Sequence, residues 1–145
     1  TEDTEFNCRI YQKSCQAVII DIPMYYWVQR PTSITHQKVN PRYIDRADSY
    51  YLCLQNIPKE NTVYRGCCLE KLFKMIINVR YHASNTPYRH LAHLTAKRLK
   101  KQTANEFLKN RHIPFHIKLS LLSFYYIPPL YSGFMKLCET KARKK

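Results

Sequence analysis

Residues 86–114 read TPYRHLAHLTAKRLKKQTANEFLKNRHIP, and this stretch decides which fold class the chain can adopt. Apolar and small side chains recur along it with the period of an α-helix, about 3.6 residues. They are Tyr88, Leu91, Ala92, Thr95, Leu99 and Thr103. Thr86 and Pro87 suit the first turn of a helix, and Pro114 ends the run. The stretch therefore predicts one long amphipathic helix that packs one face on a core.

The opposite face of this helix is strongly basic. It carries Arg89, His93, Lys97, Lys100 and Lys101, with Arg98 at the seam between the two faces. Lys109 and Arg111 extend the charge towards the end of the stretch. We expect all eight residues to bind an anionic surface, because a face this basic exceeds what solubility requires.

The positive charge belongs to the second half of the chain. The formal net charge is +14, yet residues 1–70 hold eight Lys or Arg and eight Asp or Glu. Residues 71–145 hold sixteen Lys or Arg, and their acidic residues are Glu106 and Glu139. The last cluster comprises Lys141, Arg143, Lys144 and Lys145. Such a distribution attracts polyanions, although a solvated surface is the plain alternative.

Composition favours a single helical domain over residues 1–145. The chain has only two glycines, fewer than the turns of a β-sandwich or barrel usually need. Further helices are predicted from about Ser33 to Asn56, from Val63 to Tyr81, and, as a buried helix, from Phe115 to Ile127. We therefore expect an all-α, up-and-down bundle of about five helices with an extended basic C-terminal tail. Residues 1–7 and 139–145 are expected to be loose.

Two aromatic clusters stand out against this background. In the first half, a helix-like segment from Phe6 to Arg30 offers the core candidates Ile10, Ala17, Val18, Ile20, Ile22 and Tyr25, although residues 18–20 also suit a buried strand. The first cluster follows as Met24, Tyr25, Tyr26 and Trp27, and the second comprises Phe124, Tyr125, Tyr126 and Ile127. Both clusters suit core packing, and both equally suit a patch that enters a membrane interface.

The residues that most enzymes need are missing from recognisable positions. There is no Gly-rich phosphate loop, no serine in a Gly-flanked elbow and no marked pair of catalytic carboxylates. His90 and His93, and likewise His112 and His116, have metal-like spacing but no nearby cysteine or carboxylate. We expect no enzyme, no cofactor, no metal and no small-molecule substrate, with the histidines adding positive charge as the pH falls. The spacing of the six cysteines leaves free thiols and disulfides both open.

A basic helix near aromatic residues fits two kinds of partner. Nucleic acid is one, and an RNA-binding or ribosomal component would share this composition, but no zinc-finger, ribonucleoprotein or helix-turn-helix motif is present. Anionic membrane is the other, since basic stripes recognise lipid headgroups while apolar patches enter the interface. The separation of charge from aromatic clusters favours the membrane.

Several segments in sequence order resemble the sperm lysin family of abalone. The long helix shares an opening Tyr88, the basic Arg98, the run Glu106-Phe107-Leu108-Lys109 and the closing Ile113-Pro114, with a one-residue gap before Ile113. Residues 39–43, VNPRY, are similar to a family motif that is followed by Tyr50, Tyr51 and Leu52, and Trp27 matches a helix-ending tryptophan. The six cysteines and the apolar stretch after Pro114 depart from lysin and favour the fusagenic acrosomal branch of the family.

The resemblance implies a bundle of about five helices, storage in the sperm acrosomal granule and release at the egg surface. It further implies a non-enzymatic protein that promotes fusion of sperm and egg plasma membranes, in which the basic face binds anionic lipid and the aromatic clusters insert. A lysin-like binder of an egg-coat glycoprotein, which opens the vitelline envelope, is the alternative. The family resemblance leaves a monomer and a weak dimer both open.

Overall fold

The computed structural model describes residues 39–142, with side chains to residue 135, and single positions 6, 7, 9, 10, 13, 14, 18 and 22. Between residues 39 and 142 the chain forms five α-helices and no β-strand, which confirms the all-α fold class. Short connections at 57–61, 84–88 and 110–114 separate the first four helices. These helices are α1 (Pro41–Asn56), α2 (Thr62–Ala83), α3 (Arg89–Lys109), α4 (Phe115–Tyr126) and α5 (Pro128–Ala142).

Local sequence explains where the first two helices begin. The side chain of Asn40 accepts a hydrogen bond from the backbone N–H of Tyr43, and Pro41 occupies the first turn of α1. The side chain of Asn61 caps α2 in the same way through the N–H of Tyr64. Pro41 is compatible with the start of α1, because a residue in the first turn needs no N–H donor.

The core is built around α2, which carries apolar residues on most of its sides. Leu69, Leu72, Phe73 and Ile76 on this helix are all fully buried. The ring of Phe73 stacks on Phe107 of α3 with centroids 3.9 Å apart. Both α1 and α3 pack against α2, while α4 and α5 pack against each other and against α2. The helix α2 is therefore the one around which the other four are arranged.

A buried arginine joins the first three helices. Arg65 of α2 donates from Nη1 to the carbonyl of Leu54 at the end of α1, and to that of Ile57 just beyond it. Its Nη2 and Nε donate to the two carboxylate oxygens of Glu106 on α3. These hydrogen bonds to Glu106 raise the pKa of the Arg65 guanidinium above its ordinary value, so the buried group stays charged. The bidentate pair also occupies the only acidic side chain of α3.

Two further contacts attach the C-terminal helices. Arg80 of α2 donates to the carbonyl of Tyr125 over 2.8 Å, and its guanidinium lies 4.5 Å from the centroid of the Tyr125 ring. The hydroxyl of Tyr131 on α5 donates to the side chain of Asn78 on α2. Each of α4 and α5 packs one side against α2 through such contacts. The other side of α4 and of α5 lies at the surface.

Several expected boundaries and burials differ from the structure. The helix predicted from Ser33 begins at Pro41 among the described residues, which do not include 33–38, and the tail predicted to be extended is helical to Ala142. The long basic helix begins at Arg89, because Thr86 and Pro87 lie in the preceding turn, where the hydroxyl of Thr86 donates to the carbonyl of Ala83.

Three proposed core residues, Ile10, Val18 and Ile22, are exposed. Apolar spacing does not reveal whether another element covers a face, and that is why these burials were wrong. Of the other proposed core residues, Ala17, Ile20 and Tyr25 lie outside the described residues.

Candidate functional site

The basic face predicted from the sequence lies largely at the surface of α3. His93, Lys97 and Lys101 recur every fourth residue and form one exposed stripe, while Arg89 begins the helix beside it. Lys109 and Arg111 are exposed at the opposite end. Because Glu106 is held by Arg65, no carboxylate of α3 neutralises these cations.

Two residues of the predicted basic face are already engaged with other helices. Arg98 forms an exposed ion pair with Asp48 of α1. Lys100 is half-buried, and its Nζ donates to the hydroxyl of Tyr126 on α4 over 2.9 Å. The same ammonium lies 4.6 Å and 4.7 Å from the ring centroids of Tyr126 and Tyr125. Lys100 therefore links the basic face of α3 to the aromatic cluster of α4.

The exposed side of α4 is apolar. Phe115, Leu119 and Tyr126 are 78%, 56% and 65% exposed, and Leu122 between them is half-buried. We call these four residues the α4 ridge; their spacing of four, three and four places them on one helix face. The buried side of the same helix is equally apolar, with Leu121 and Tyr125 facing the core. The helix predicted to be buried is thus correct in position but wrong in burial on one side.

The structure divides the second aromatic cluster between these two sides. Tyr125 is buried, and Phe124 packs against the rings of Tyr131 and Phe134 at centroid distances of 5.3 and 5.4 Å. Tyr126 and Ile127 are exposed. Sequence reasoning missed Phe115 and Leu119, although their positions three and two turns before Tyr126 along the same face could have indicated them.

Two contacts join α4 to α3, one towards each end of α4, and the first of them links the α4 ridge to a residue of the basic face. At one end Lys100 contacts Tyr126, as described above. At the other end Lys118, the one charged residue of α4, donates to the carbonyl of Leu108 on α3. The exposed α4 ridge therefore adjoins α3, the helix that carries the exposed cations, and interfacial membrane binding uses apolar and cationic surfaces together.

Other predicted site residues lie beyond the described side chains. Met24, Tyr25, Tyr26 and Trp27 are outside the described residues, as are residues 143–145. The backbone of Lys141 belongs to α5, and its side chain is not described.

A groove at one end of the bundle brings together histidines and arginines from two helices. It has a volume of about 1270 Å³ and lies between the end of α2, the start of α3 and the junction of α4 with α5. Its positively charged or ionisable lining residues are Arg80, His82, Arg89, His90 and His93. Sequence reasoning treated the histidine pair of α3 as added charge and did not single out Arg80 or His82. Nothing in the local pattern of α2 marks these two residues as neighbours of α3.

The histidines and cysteines form no metal centre in the part of the chain that the structure describes, where no three His, Cys, Asp or Glu converge. Within that part Cys53 and Cys68 are buried thiols and Cys67 is an exposed one. The sulfur of Cys68 donates to the carbonyl of Tyr50 over 3.4 Å. No helix among the described residues combines the length and apolar character needed to cross a lipid bilayer.

Comparison with known proteins adds no relative. No family model matches the chain, and no curated protein or solved structure is significantly similar to it.

Proposed function

We propose that this protein binds anionic membrane surfaces without spanning them and promotes their fusion by a non-enzymatic mechanism. The observation that carries the proposal is the α4 ridge, an exposed apolar strip beside the exposed cations of α3. Each cation near an anionic surface contributes about 1 kcal/mol to binding. Burial of the ridge in the interface then adds roughly 25 cal/mol for each Å² of apolar area removed from water.

The geometry supports a stepwise action. The charges of Lys97 and Lys101 in the exposed stripe draw the protein to lipid headgroups over the Debye length, about 8 Å at physiological salt. The α4 ridge then lies within the headgroup and upper acyl region, where Phe115 and Leu119 displace lipid. Tyr126 suits the same depth, since its ring is apolar and its hydroxyl remains bonded to Lys100. Wedges of this kind disturb lipid packing and lower the barrier to merging two bilayers.

The cellular setting belongs to the proposal as well. The sequence resemblance supports a secreted sperm protein that is released from the acrosomal granule and acts on the egg plasma membrane. Binding to an egg-coat glycoprotein or to RNA would use the same basic face. Both alternatives leave the exposed α4 ridge without a role, and this is why we favour the membrane.

A vesicle experiment tests the proposal. The protein is mixed with phosphatidylserine-containing vesicles at low salt, and vesicle binding, leakage and lipid mixing are measured. We expect all three, and we expect the triple variant Phe115→Ser/Leu119→Ser/Tyr126→Ser to bind about tenfold more weakly. The matched control is Leu52→Ser/Val63→Ser, which removes exposed apolar residues from α1 and α2. Absence of leakage and lipid mixing by the natural protein, or equal losses in both variants, would refute the proposal.

A further inference from the structure

The groove described above has a lining that favours one kind of ligand. Its lining residues include two arginines and three histidines, and they include no aspartate or glutamate. Like charges gathered in a partly enclosed site repel one another and focus a positive potential into it. An anion placed there removes this repulsion, so the groove is complementary to a negatively charged group.

Three side chains of the groove that donate hydrogen bonds to anions lie close together on one turn of α3. Arg89, His90 and His93 are all exposed and all line the groove. In the part of the chain that the structure describes, no hydrogen bond or ion pair occupies their side chains. An imidazole has an N–H to donate in its neutral and its charged form, and a guanidinium donates in pairs to phosphate oxygens. Several donors on one turn suit a tetrahedral oxyanion better than a single carboxylate.

Much of the remaining groove lining is aromatic or apolar. Tyr81 and Tyr131 meet edge to face at 5.4 Å, Phe124 lies 5.3 Å from Tyr131, and Pro128 and Pro129 complete this part of the lining. Arg80 is fixed at its base by the bond to the carbonyl of Tyr125. Apolar walls reduce solvent screening, and the attraction between a bound anion and the arginines is therefore stronger here than on an open surface.

We infer that this groove binds a phosphate monoester, and that on a membrane the ligand is a lipid headgroup ending in one. A phosphate monoester carries a charge of about −1.5 to −2 near neutral pH, whereas the phosphodiester within other phospholipids carries about −1. The prolines of the groove wall directly follow Tyr126 and Ile127, so a lipid whose phosphate enters the groove has an apolar surface beside it. This inference rests on the proposed membrane function and adds selectivity for one class of lipid.

The test compares two kinds of vesicle at matched zeta potential. One contains phosphatidic acid, which exposes a phosphate monoester, and the other contains phosphatidylserine. We expect the natural protein to prefer phosphatidic acid by about tenfold in Kd. The variant Arg89→Gln/His90→Gln/His93→Gln loses this preference, and its binding to phosphatidylserine weakens by no more than that of the control variant. The control Lys97→Gln/Lys101→Gln/Lys109→Gln, on the same helix but outside the groove, weakens binding to both vesicles equally and keeps the preference.

A second measurement uses soluble phosphate and needs no membrane. Glycerol 3-phosphate is titrated while the imidazole NMR signals of His90 and His93 are followed, with inorganic phosphate as a parallel probe. Both probes are expected to shift these signals, whereas the signals of His112 and His116, which lie outside the groove, stay in place. Unchanged urea midpoints verify that the variants, all at exposed positions, remain folded.

The outcomes separate this inference from the proposed function. Binding and lipid mixing without a preference for phosphatidic acid, and without shifted imidazole signals, would overturn the inference and leave the proposed function standing. Shifted signals without vesicle binding would overturn the membrane function and the assignment to a lipid, and would leave a site for soluble phosphate esters. Shifted signals with equal binding to both vesicles would overturn the assignment to a lipid alone.

Discussion

Gly66 and Gly133 both lie inside helices, but their surroundings differ. A Cβ added to Gly66 would lie 2.9 Å from Oδ1 of Asn110. That side chain cannot retreat freely, because its Oδ1 accepts from the N–H of His112 and its Nδ2 donates to the carbonyl of Thr62. A Cβ added to Gly133 meets nothing within 4 Å. The first glycine permits a close approach between the start of α2 and the end of α3, whereas the second lies on the open side of α5.

This contrast predicts opposite effects of the same substitution. Gly66→Ala should lower the free energy of unfolding by about 1–2 kcal/mol, since the displaced Asn110 loses hydrogen bonds that exceed the gain in helix propensity. Gly133→Ala should raise it by about 0.5–1 kcal/mol through propensity alone. Urea unfolding measured for both variants checks the pair. A stabilising Gly66→Ala would contradict the close contact with Asn110.

Arg65 shows how little a residue pattern says about a buried charge. Within the mostly apolar α2 sequence it resembles any surface arginine, and no periodicity points to Glu106 forty-one positions later. Its four hydrogen bonds unite α1, α2 and α3 only when those helices are already packed. The pair is therefore a product of the tertiary structure that local sequence could not predict.

At the scale of elements, α4 has two apolar sides, and only one of them packs against other helices. Leu121 is 5% exposed and faces the core, whereas Leu119, two positions earlier, is 56% exposed on the α4 ridge. Both are leucines in the same helix, so comparing substitutions at the two positions isolates the contribution of packing to stability. The ridge leucine is free to serve binding because the fold does not depend on it.

Alanine substitution of these two leucines should separate stability from binding. Leu121→Ala should reduce the free energy of unfolding by about 2–4 kcal/mol, the cost of losing a buried side chain and leaving a cavity. Leu119→Ala should reduce it by less than about 1 kcal/mol while weakening attachment to phosphatidylserine vesicles. Thermal unfolding and vesicle sedimentation give the two readouts. Equal destabilisation by both variants would mean that the ridge is covered in solution, and the proposed function would lose its main support.

Sequence reasoning placed α2, α3 and α4 to within a few residues, because proline and capping side chains mark where helices start and stop. It did not identify the exposed side of α4. A helix with apolar residues all round has no polar face to indicate its outward direction. The orientation follows from which side α2 and α5 can reach, and this depends on contacts between distant segments.

The molecule as a whole carries a net charge of +14, an excess that ion pairs between its own residues cannot remove. Among the described residues, Arg98–Asp48 and Lys74–Glu70 are exposed pairs, each worth about 0.5 kcal/mol, and Arg65–Glu106 is buried. Compact folding brings the remaining cations together, and their mutual repulsion lowers stability. An anionic surface would relieve the same repulsion, which couples folding stability to binding.

Added salt should therefore stabilise this protein. Raising NaCl from about 20 to about 200 mM shortens the Debye length and should increase the free energy of unfolding by on the order of 1 kcal/mol. The exposed ion pairs weaken under the same conditions, but their loss is smaller. Urea titrations at the two salt concentrations measure the change. The variant Lys97→Gln/Lys101→Gln/Lys109→Gln should respond less, and a fall in stability with salt would contradict the argument.

The sequence by itself determined the fold class, the presence of a long amphipathic helix within residues 86–114 and the excess of positive charge after residue 70. These features depend on periodicity, capping residues and composition, all of which are local. Only the tertiary structure decided that α4 exposes an apolar ridge beside the cations of α3. It alone brought Arg80 and His82 to the histidines of α3, because the packing of α2 against α3 joins residues that no sequence spacing connects.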